Sequence, residues 1–360
     1  MGGTVSDVTA RIRVESARGA YHVVVNDDLS GFGGEVRGVL PRVARLLVVT
    51  DTNVAPLHAD RLEAALLAQG FGVTRIVVEA GESHKTLATW AAVLDAALAA
   101  GIDRGQALVA LGGGVVGDLA GFAAATLARG VPIVQVPTTL LAAVDASVGG
   151  KTAVDHPAGK NLIGAFHPPS LVWTATDHFA TLPKDVLRDG WAEVVKHAAL
   201  AGCLDAVTGW SSDPHGLTHA VLHSVGYKAE IVAQDERERG VRAWLNLGHT
   251  VAHGVEAAGG LQAWSHGEAV SVGLVAEARF AAAQGWASPS VAEALAATLQ
   301  RLGLPTRLPV GLRAAALAAM GHDKKREGGT LRLPYLRELG DPALAVVSID
   351  QLSAMWPEDG

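Results

Sequence analysis

A short apolar run, 107–111, ends in three glycines, Gly112, Gly113 and Gly114, and a helical stretch opens behind them at Val115. Strand, glycine turn and helix in immediate succession call for a sheet whose neighbouring strands run parallel, with helices wound on its faces. The same alternation runs through the first half of the chain. Residues 46–50, 74–79 and 131–136 read as further strands. Residues 54–69, 87–100, 115–128 and 139–146 read as helices, the second of them stopped at Gly101. Residues 11–16 and 21–26 alternate as strands around a turn at Arg18-Gly19. Past about Thr181 the pattern changes to long Ala/Leu/Val-rich helices at 184–203, 217–236, 245–258, 266–284 and 290–303, with strand-like runs only at 331–333 and 344–348. The expected organisation is an α/β domain over residues 1–178 and a mostly helical domain over 179–360.

A chain of 360 residues is long for one core, which agrees with two domains. Apolar residues make up 49% and charged residues 18%, as in a well-buried globular enzyme and unlike a disordered chain. The net charge of −7 argues against a general nucleic-acid binder. The single cysteine, Cys203, cannot form an internal disulfide and fits a reducing cytoplasm. Neither a signal peptide nor a membrane-spanning run is read.

Residues 111–166 concentrate the chemistry. After the glycine triplet come Pro137-Thr138-Thr139, Gly149-Gly150-Lys151 and Gly159-Lys160-Asn161. Glycine lets backbone approach a ligand closely, helix starts favour phosphate, and lysine adds charge. The turn Gly112-Gly113-Gly114-Val115-Val116-Gly117-Asp118 sits where dinucleotide-binding sheets hold a pyrophosphate, although its spacing is not the strict GxGxxG. Packing glycines would explain it as well. Polar groups follow other strands: Asp51 and Asn53, then Glu82 and Lys85, then Thr138 and Thr139. Helix capping is the plainer role for each.

In the second half, His249 and His253 stand four apart on one helix face, His266 opens another helix, and Glu193 lies on a third. Imidazole nitrogen with carboxylate oxygen suits zinc with positions open for substrate. Spacing alone pairs His249 with His253 and leaves the third ligand open. Basic residues in the same motifs, Arg129, Lys151, Lys160, Lys196, Lys228, Arg242 and Lys324, suit phosphate or carboxylate. The run Asp235 to Arg239 reads as a solvated helix face, with Glu238 as an exception that shares a cleft with Asn246.

Together the motifs GGGVVGDLAGF, RGVPIVQVPTTLLAAVDASVGGKT, GKNLIGAF, AEVVKH, DERERG, LNLGHT, HGEAV and DKK resemble 3-dehydroquinate synthases over nearly the whole chain. The resemblance implies a Rossmann-like NAD domain, a helical metal domain and a site in the cleft between them. It implies cyclisation of 3-deoxy-D-arabino-heptulosonate 7-phosphate to 3-dehydroquinate with loss of phosphate, a carbon–oxygen lyase step of the shikimate route to aromatic amino acids. NAD would borrow and return a hydride, and zinc or cobalt would act as Lewis acid. By motif, the metal ligands would be Glu193, His249 and His266, which displaces the His249–His253 pairing. NAD would meet Asp51, Asn53, Glu82, Lys85, Gly114, Val115, Val116, Gly117, Asp118, Thr138, Thr139, Lys151, Lys160 and Thr181. Substrate would meet Asp145, Lys151, Lys160, Asn161, Lys196, Lys228, Glu238, Arg242, Asn246 and Lys324. His253 or Lys196 would relay protons, and Arg129 would reach the phosphate of the other subunit of a homodimer. Ala146 and His197 depart from the residues usual in the family, Ser and Tyr. A sister sugar-phosphate cyclase and a glycerol-dehydrogenase-like metal alcohol dehydrogenase are the alternatives.

Overall fold

The computed structural model describes residues 10–213, 215–259, 264–308, 311–324, 330–348 and 350–351. The chain divides into two compact units, Met1–Pro183 and Lys184–Gly360.

The first unit runs β1 (Ala10–Val14), β2 (Tyr21–Asn26), α1 (Phe32–Val39), β3 (Arg45–Asp51), α2 (Asp60–Leu67), β4 (Gly72–Val78), α3 (Leu87–Ala99), β5 (Ala107–Gly112), α4 (Gly114–Thr126), β6 (Ile133–Pro137), β7 (Lys151–His156), β8 (Gly159–Phe166) and β9 (Leu171–Ala175). Seven strands form one sheet in the order β1-β2-β9-β6-β5-β3-β4. All neighbours from β2 to β4 pair in parallel, and only β1 is antiparallel. The α/β expectation holds.

Side chains of a strand alternate between faces, so a strand covered on both sides must be apolar throughout. In β3, Leu46 and Val48 enter an apolar layer with Phe32, Leu62, Leu66 and Trp173. Leu47 and Val49 enter the opposite layer with Val93, Leu119, Ala123 and Ile133. Helices α1 and α2 thus cover one face, and α3 and α4 the other. From β3 the chain winds outward to β4, and from β5 it winds the other way to β6. The winding reverses between adjacent β3 and β5, and loops leaving such a switch point part to form a crevice. Asp51 ends β3 and Gly112 ends β5.

Three elements of this unit escape the sequence reading. Helix α1 (FGGEVRGV) contains three glycines, which weaken helix propensity. Strand β9 follows a Pro-Pro-Ser segment that reads as loop. The antiparallel hairpin β7–β8 is built from the glycine-lysine motifs themselves.

One histidine of this unit sets a pH limit on stability. His178, in the 3-10 turn Thr176–Thr181, is fully buried, with its ring 4.4 Å from that of His58. Burial pushes its pKa down to about 4, helped by His58 and Arg61 and opposed by Asp177. The unfolded chain therefore takes up a proton first, and stability that is full above the ordinary histidine value of about 6.5 is lost as pH falls toward 4. At roughly 1.4 kcal/mol per pKa unit the loss amounts to about 3 kcal/mol. Denaturant titrations at pH 7.5 and 4.5 should show this loss in the wild type and a smaller one in His178→Gln. Parallel pH dependence in both proteins would refute it.

The second unit holds α5 (Lys184–Ala201), α6 (Ala206–Trp210), α7 (Gly216–Gln234), α8 (His249–Gly259), α9 (His266–Ala283), α10 (Pro289–Arg301) and α11 (Leu312–Lys324), then an antiparallel hairpin of β10 (Thr330–Leu336) and β11 (Pro342–Ser348). Helix α9 is the axis of the unit. It buries Ala269, Val270, Leu274, Val275, Phe280 and Ala281 and packs against α5, α8 and α10. A capping box starts it: Ser265 Oγ accepts from the Glu268 N–H at 3.2 Å, and Glu268 Oε2 accepts from the Ser265 N–H at 3.3 Å. His266 is thereby the first residue of the helix. Among the described residues no helix is long and apolar enough to cross a membrane.

Candidate active site

At the switch point of the sheet, a test on each glycine separates packing from ligand approach. A methyl on Gly112 would lie 2.6 Å from Val116, one on Gly117 2.9 Å from Gln135 Oε1, and one on Gly121 2.4 Å from Thr152. Those glycines are packed against the neighbouring protein. A methyl on Gly114 would meet only Ala146 Cβ, at the ordinary contact distance of 3.5 Å. Gly114 is the first residue of α4, so its space lies at a helix N-terminus, where an anion is favoured. Val116 points its side chain into the core and Val115 is half-buried. Gly117 packs against Gln135, whose Nε2 donates to the Gly117 carbonyl at 3.1 Å.

Capping and binding roles divide among the polar residues at the strand ends. Asp51 Oδ1 accepts from the N–H groups of Asn53 and Val54, both at 2.9 Å, and caps the turn after β3. Thr139 Oγ1 caps the next turn by accepting from the Ala142 N–H at 3.1 Å. Thr138 is different. Its N–H donates to the Gly112 carbonyl at 2.9 Å, which ties it to the glycine turn. Its hydroxyl is buried with no hydrogen-bond partner among the described residues. A buried hydroxyl left so is costly unless a ligand completes it. Thr181 is exposed; its hydroxyl donates to the His178 carbonyl at 2.7 Å and lies 3.0 Å from His58 Nε2.

Lys85 joins two groups that the sequence reading kept apart. It is 3% exposed, and its ammonium donates to Asp118 Oδ2 and to Asn161 Oδ1, each at 2.5 Å. Burial raises the Asp118 pKa, and Lys85 opposes that rise. Asn161 has φ 55, a left-handed conformation that asparagine tolerates, and its N–H donates to Asp155 Oδ1 at 2.8 Å. Its backbone is thus tied across the turn end of the hairpin. Lys151 begins β7 and is exposed, whereas Lys160 in β8 is half-buried. Asp145 stands on a π-helical turn, Ala142–Ala146, and Glu82 on a 3-10 turn, Glu82–His84.

The second unit gathers side chains that could hold a metal ion. One ligand atom each from Glu193, His249 and His266 lies within 4.8 Å of the others. His249 Nε2 is 3.4 Å and His266 Nε2 3.5 Å from Glu193 Oε1. His253, paired with His249 on spacing alone, is exposed and lies outside this set; its ring stands edge-on to His249 at 5.7 Å. Position four along a helix is adjacent, but the ligand atoms of different helices point closer together here. His249 Nδ1 donates to the Leu247 carbonyl at 3.1 Å, which leaves the Nε2 lone pair for a cation. Burial, then Lys196, pushes the His249 pKa down to about 3, so this imidazole is neutral. Burial works against a charge on His266, yet Glu193 and Glu256 outweigh it and raise its pKa to about 10. The field of two carboxylates that draws a proton to His266 suits a divalent cation equally.

Three close backbone approaches bring these ligands together. A methyl on Gly267 would be 2.4 Å from the Asp189 carbonyl oxygen, so α9 meets α5 one turn from Glu193 only because the residue after His266 is glycine. A methyl on Gly273 would be 1.9 Å from the Gly248 carbonyl oxygen, and Gly248, at φ 80, faces the Leu274 backbone nitrogen. The glycines in HGEAV and LNLGHT therefore set the separations between helices.

Around the cluster, Lys196 pairs with Glu193 one turn along α5. Lys196, Lys228 and Arg242 are all buried. Arg242 donates to the Glu236 carbonyl, and Asn246 donates to Glu238 Oε1. The run at 235–239 departs from the expected helix face. Helix α7 ends at Gln234, and Asp235 accepts from the N–H groups of Arg239 at 2.9 Å, Gly240 at 2.7 Å and Arg242 at 3.1 Å. It organises the loop that presents Glu238, whose φ is 57. Lys324 closes α11, and its side chain lies outside the described residues. Arg129 is exposed beside the first unit's helix α4, with φ 69.

Glu256 was missed in the sequence. It lies 3.5 Å from His266 Nδ1, on the ring side away from Glu193. The signal was present, since Glu256 follows His249 by two helical turns. A carboxylate behind a ligating histidine orients the ring and raises its basicity.

Residues 75–189 match a family described as 3-dehydroquinate synthase N-terminal, and residues 190–326 one described as 3-dehydroquinate synthase C-terminal. A 3-dehydroquinate synthase of Caulobacter vibrioides is 46% identical over 359 residues, covering 95% of this chain and 96% of its own. A 2-epi-5-epi-valiolone synthase from Streptomyces hygroscopicus subsp. jinggangensis 5008, solved with NAD+ and Zn2+ bound, has a TM-score of 0.82 at 29% identity, covering 93% of this chain and 95% of its own. A 2-deoxy-scyllo-inosose synthase, solved with carbaglucose-6-phosphate, NAD+ and Co2+, has a TM-score of 0.86 at 23% identity, covering 97% and 100%, and shares the fold.

Proposed function

The chain belongs to the 3-dehydroquinate synthase family, and from that premise we propose that it cyclises 3-deoxy-D-arabino-heptulosonate 7-phosphate to 3-dehydroquinate with release of phosphate. The observation that carries this reading is the Glu193–His249–His266 cluster in a chain matched by both halves of one family. The two solved sister cyclases are 23% and 29% identical to this chain, against 46% for the Caulobacter vibrioides 3-dehydroquinate synthase.

Glu193, His249 and His266 would hold a divalent ion, zinc or cobalt, and the crevice at Gly114 and Thr138 would hold NAD. When bound, NAD supplies a reversible hydride acceptor and the ion a Lewis acid that polarises a hydroxyl or ketone. The open space at Gly114, the solitary Thr138 hydroxyl and the neutral His249 ring support these assignments. The roles of this chain's own residues are binding and proton transfer. Lys151, Lys160 and Asn161 of the first unit bind the substrate's anionic and hydroxyl groups. Lys85 holds Asn161 and Asp118 on one ammonium, so nucleotide and substrate contacts are ordered together. Asp145, Asn53, Glu82 and Thr181 complete the contacts proposed for this unit. In the second unit the buried cations Lys196, Lys228 and Arg242 bind phosphate or carboxylate through charge-assisted hydrogen bonds, and Lys324 joins them by motif. Glu238 orients Asn246 and is a candidate proton acceptor. His253, exposed beside His249, and Lys196 are the proposed proton relays. The active form is proposed to be a homodimer in which Arg129 serves the phosphate bound by the second copy. The exposed Arg129, next to Ala128 at φ 48, supports an outward role.

Borrowed hydride has a measurable signature. Given NAD, a divalent ion and the seven-carbon substrate, the purified protein should release phosphate, yield 3-dehydroquinate and leave no net NADH absorbance. NADH rising in step with phosphate would favour a plain dehydrogenase.

A further inference from the structure

Glu277 is a fully buried carboxylate that no motif identifies. It lies on α9, eleven residues or three turns past His266. Its Oε2 accepts from the Gly248 N–H at 2.8 Å, and its Oε1 from the Val251 N–H at 2.9 Å. Those N–H groups bracket His249 at the start of α8. The first N–H groups of a helix have no intrahelical acceptor and together carry partial positive charge. A side chain from a neighbouring helix has thus taken the place of a local cap. The same junction is closed by Gly248 against Leu274 and by Gly273 against the Gly248 carbonyl, where only hydrogen fits. The consequence for the metal site is geometric. Helix α9 carries His266 as its first residue and, through Glu277, fixes the backbone on both sides of His249.

We propose that Glu277 is a positioning residue for the metal: by clamping the N–H groups of Gly248 and Val251 it sets where His249 Nε2 stands relative to His266 and Glu193. The proposal rests on the assignment of those three residues as ligands. Burying a carboxylate without a cationic side chain is expensive, and a well-packed apolar residue would serve packing alone better. Retaining two acceptor oxygens at this point makes sense if the helix start must not shift. Partners that orient ligands in this way change metal affinity by about 10- to 100-fold when lost.

The test uses full-length protein reconstituted with Co2+ or Zn2+. Glu277→Gln keeps the shape but offers one acceptor, so its amide N–H₂ faces a backbone N–H. Glu277→Asp keeps the carboxyl group and both oxygens but withdraws them by one methylene. Chelator competition should show Zn2+ bound at least about tenfold more weakly by Glu277→Gln, with a smaller loss for Glu277→Asp. The visible Co2+ absorption should shift in both, while NAD affinity, read by calorimetry, stays at the wild-type value. Wild-type Zn2+ affinity and an unchanged Co2+ spectrum in a folded variant would overturn the proposal. Failure of both variants to fold would overturn it too, by making Glu277 a requirement of the fold. A wild-type protein that takes up no ion would instead sink the ligand assignment itself.

Discussion

His266→Ala should lose its divalent ion, and with it more than about a hundredfold of activity. The size of the effect follows from how few donors the site has. Three side chains on three helices converge within 4.8 Å, and His266 also faces a second carboxylate, Glu256 at 3.5 Å. Removing its ring takes away a ligand and leaves Glu193 and Glu256 with less compensation. Alanine is well tolerated at a first helical position, and the capping box formed by Ser265 and Glu268 does not involve the His266 side chain. Secondary structure should therefore survive. Elemental analysis of dialysed protein is the direct measurement. One equivalent of metal retained by the variant would disprove the assignment. Glu256→Gln provides the graded comparison: the ion stays, bound about 10- to 100-fold more weakly.

Gly114→Ala should weaken NAD binding by about tenfold or more, at least about 1.4 kcal/mol, without unfolding the first unit. A methyl there meets Ala146 Cβ at 3.5 Å and nothing closer, so the protein itself has room for it. The glycine is at the start of α4, where a pyrophosphate needs close backbone approach. Gly117→Ala makes the contrast. Its methyl would lie 2.9 Å from Gln135 Oε1, in the interior, so it should lower thermal stability before any ligand is added. Calorimetric titration with NAD beside thermal unfolding separates the two outcomes. Wild-type NAD affinity in Gly114→Ala would remove the turn as the cofactor site.

The architecture was legible because its signals are local. The apolar runs at the centres of β3 and β5 are uninterrupted, as strands covered on both faces must be, β6 breaks its run only at Gln135, and the helices between them carry ordinary stop signals. Helix α1 and hairpin β7–β8 were not legible, because glycine-rich segments carry no periodic pattern and owe their form to what packs on them. Local reasoning also misjudged residues 235–239. Charge density suggested a helix face, but the Asp235 carboxylate collects three backbone N–H groups and ends the helix.

For the site, the residues along the chain already offered the chemistry: a phosphate-sized glycine turn, lysines beside it, and histidines with a glutamate on helices. The resemblance carried by the ordered motifs named Glu193, His249 and His266 before any distance was known. Only the packed chain shows that Thr139 is a cap while the Thr138 hydroxyl has no partner among the described residues, and that Lys85 links Asp118 to Asn161. It also brought in Glu256 and Glu277, which no motif marks. Periodicity along one element reports which face a residue occupies, whereas the distance between ligands on different helices depends on how closely their backbones approach. Here that approach is fixed by Gly248, Gly267 and Gly273, whose role shows only when the atoms facing them are known.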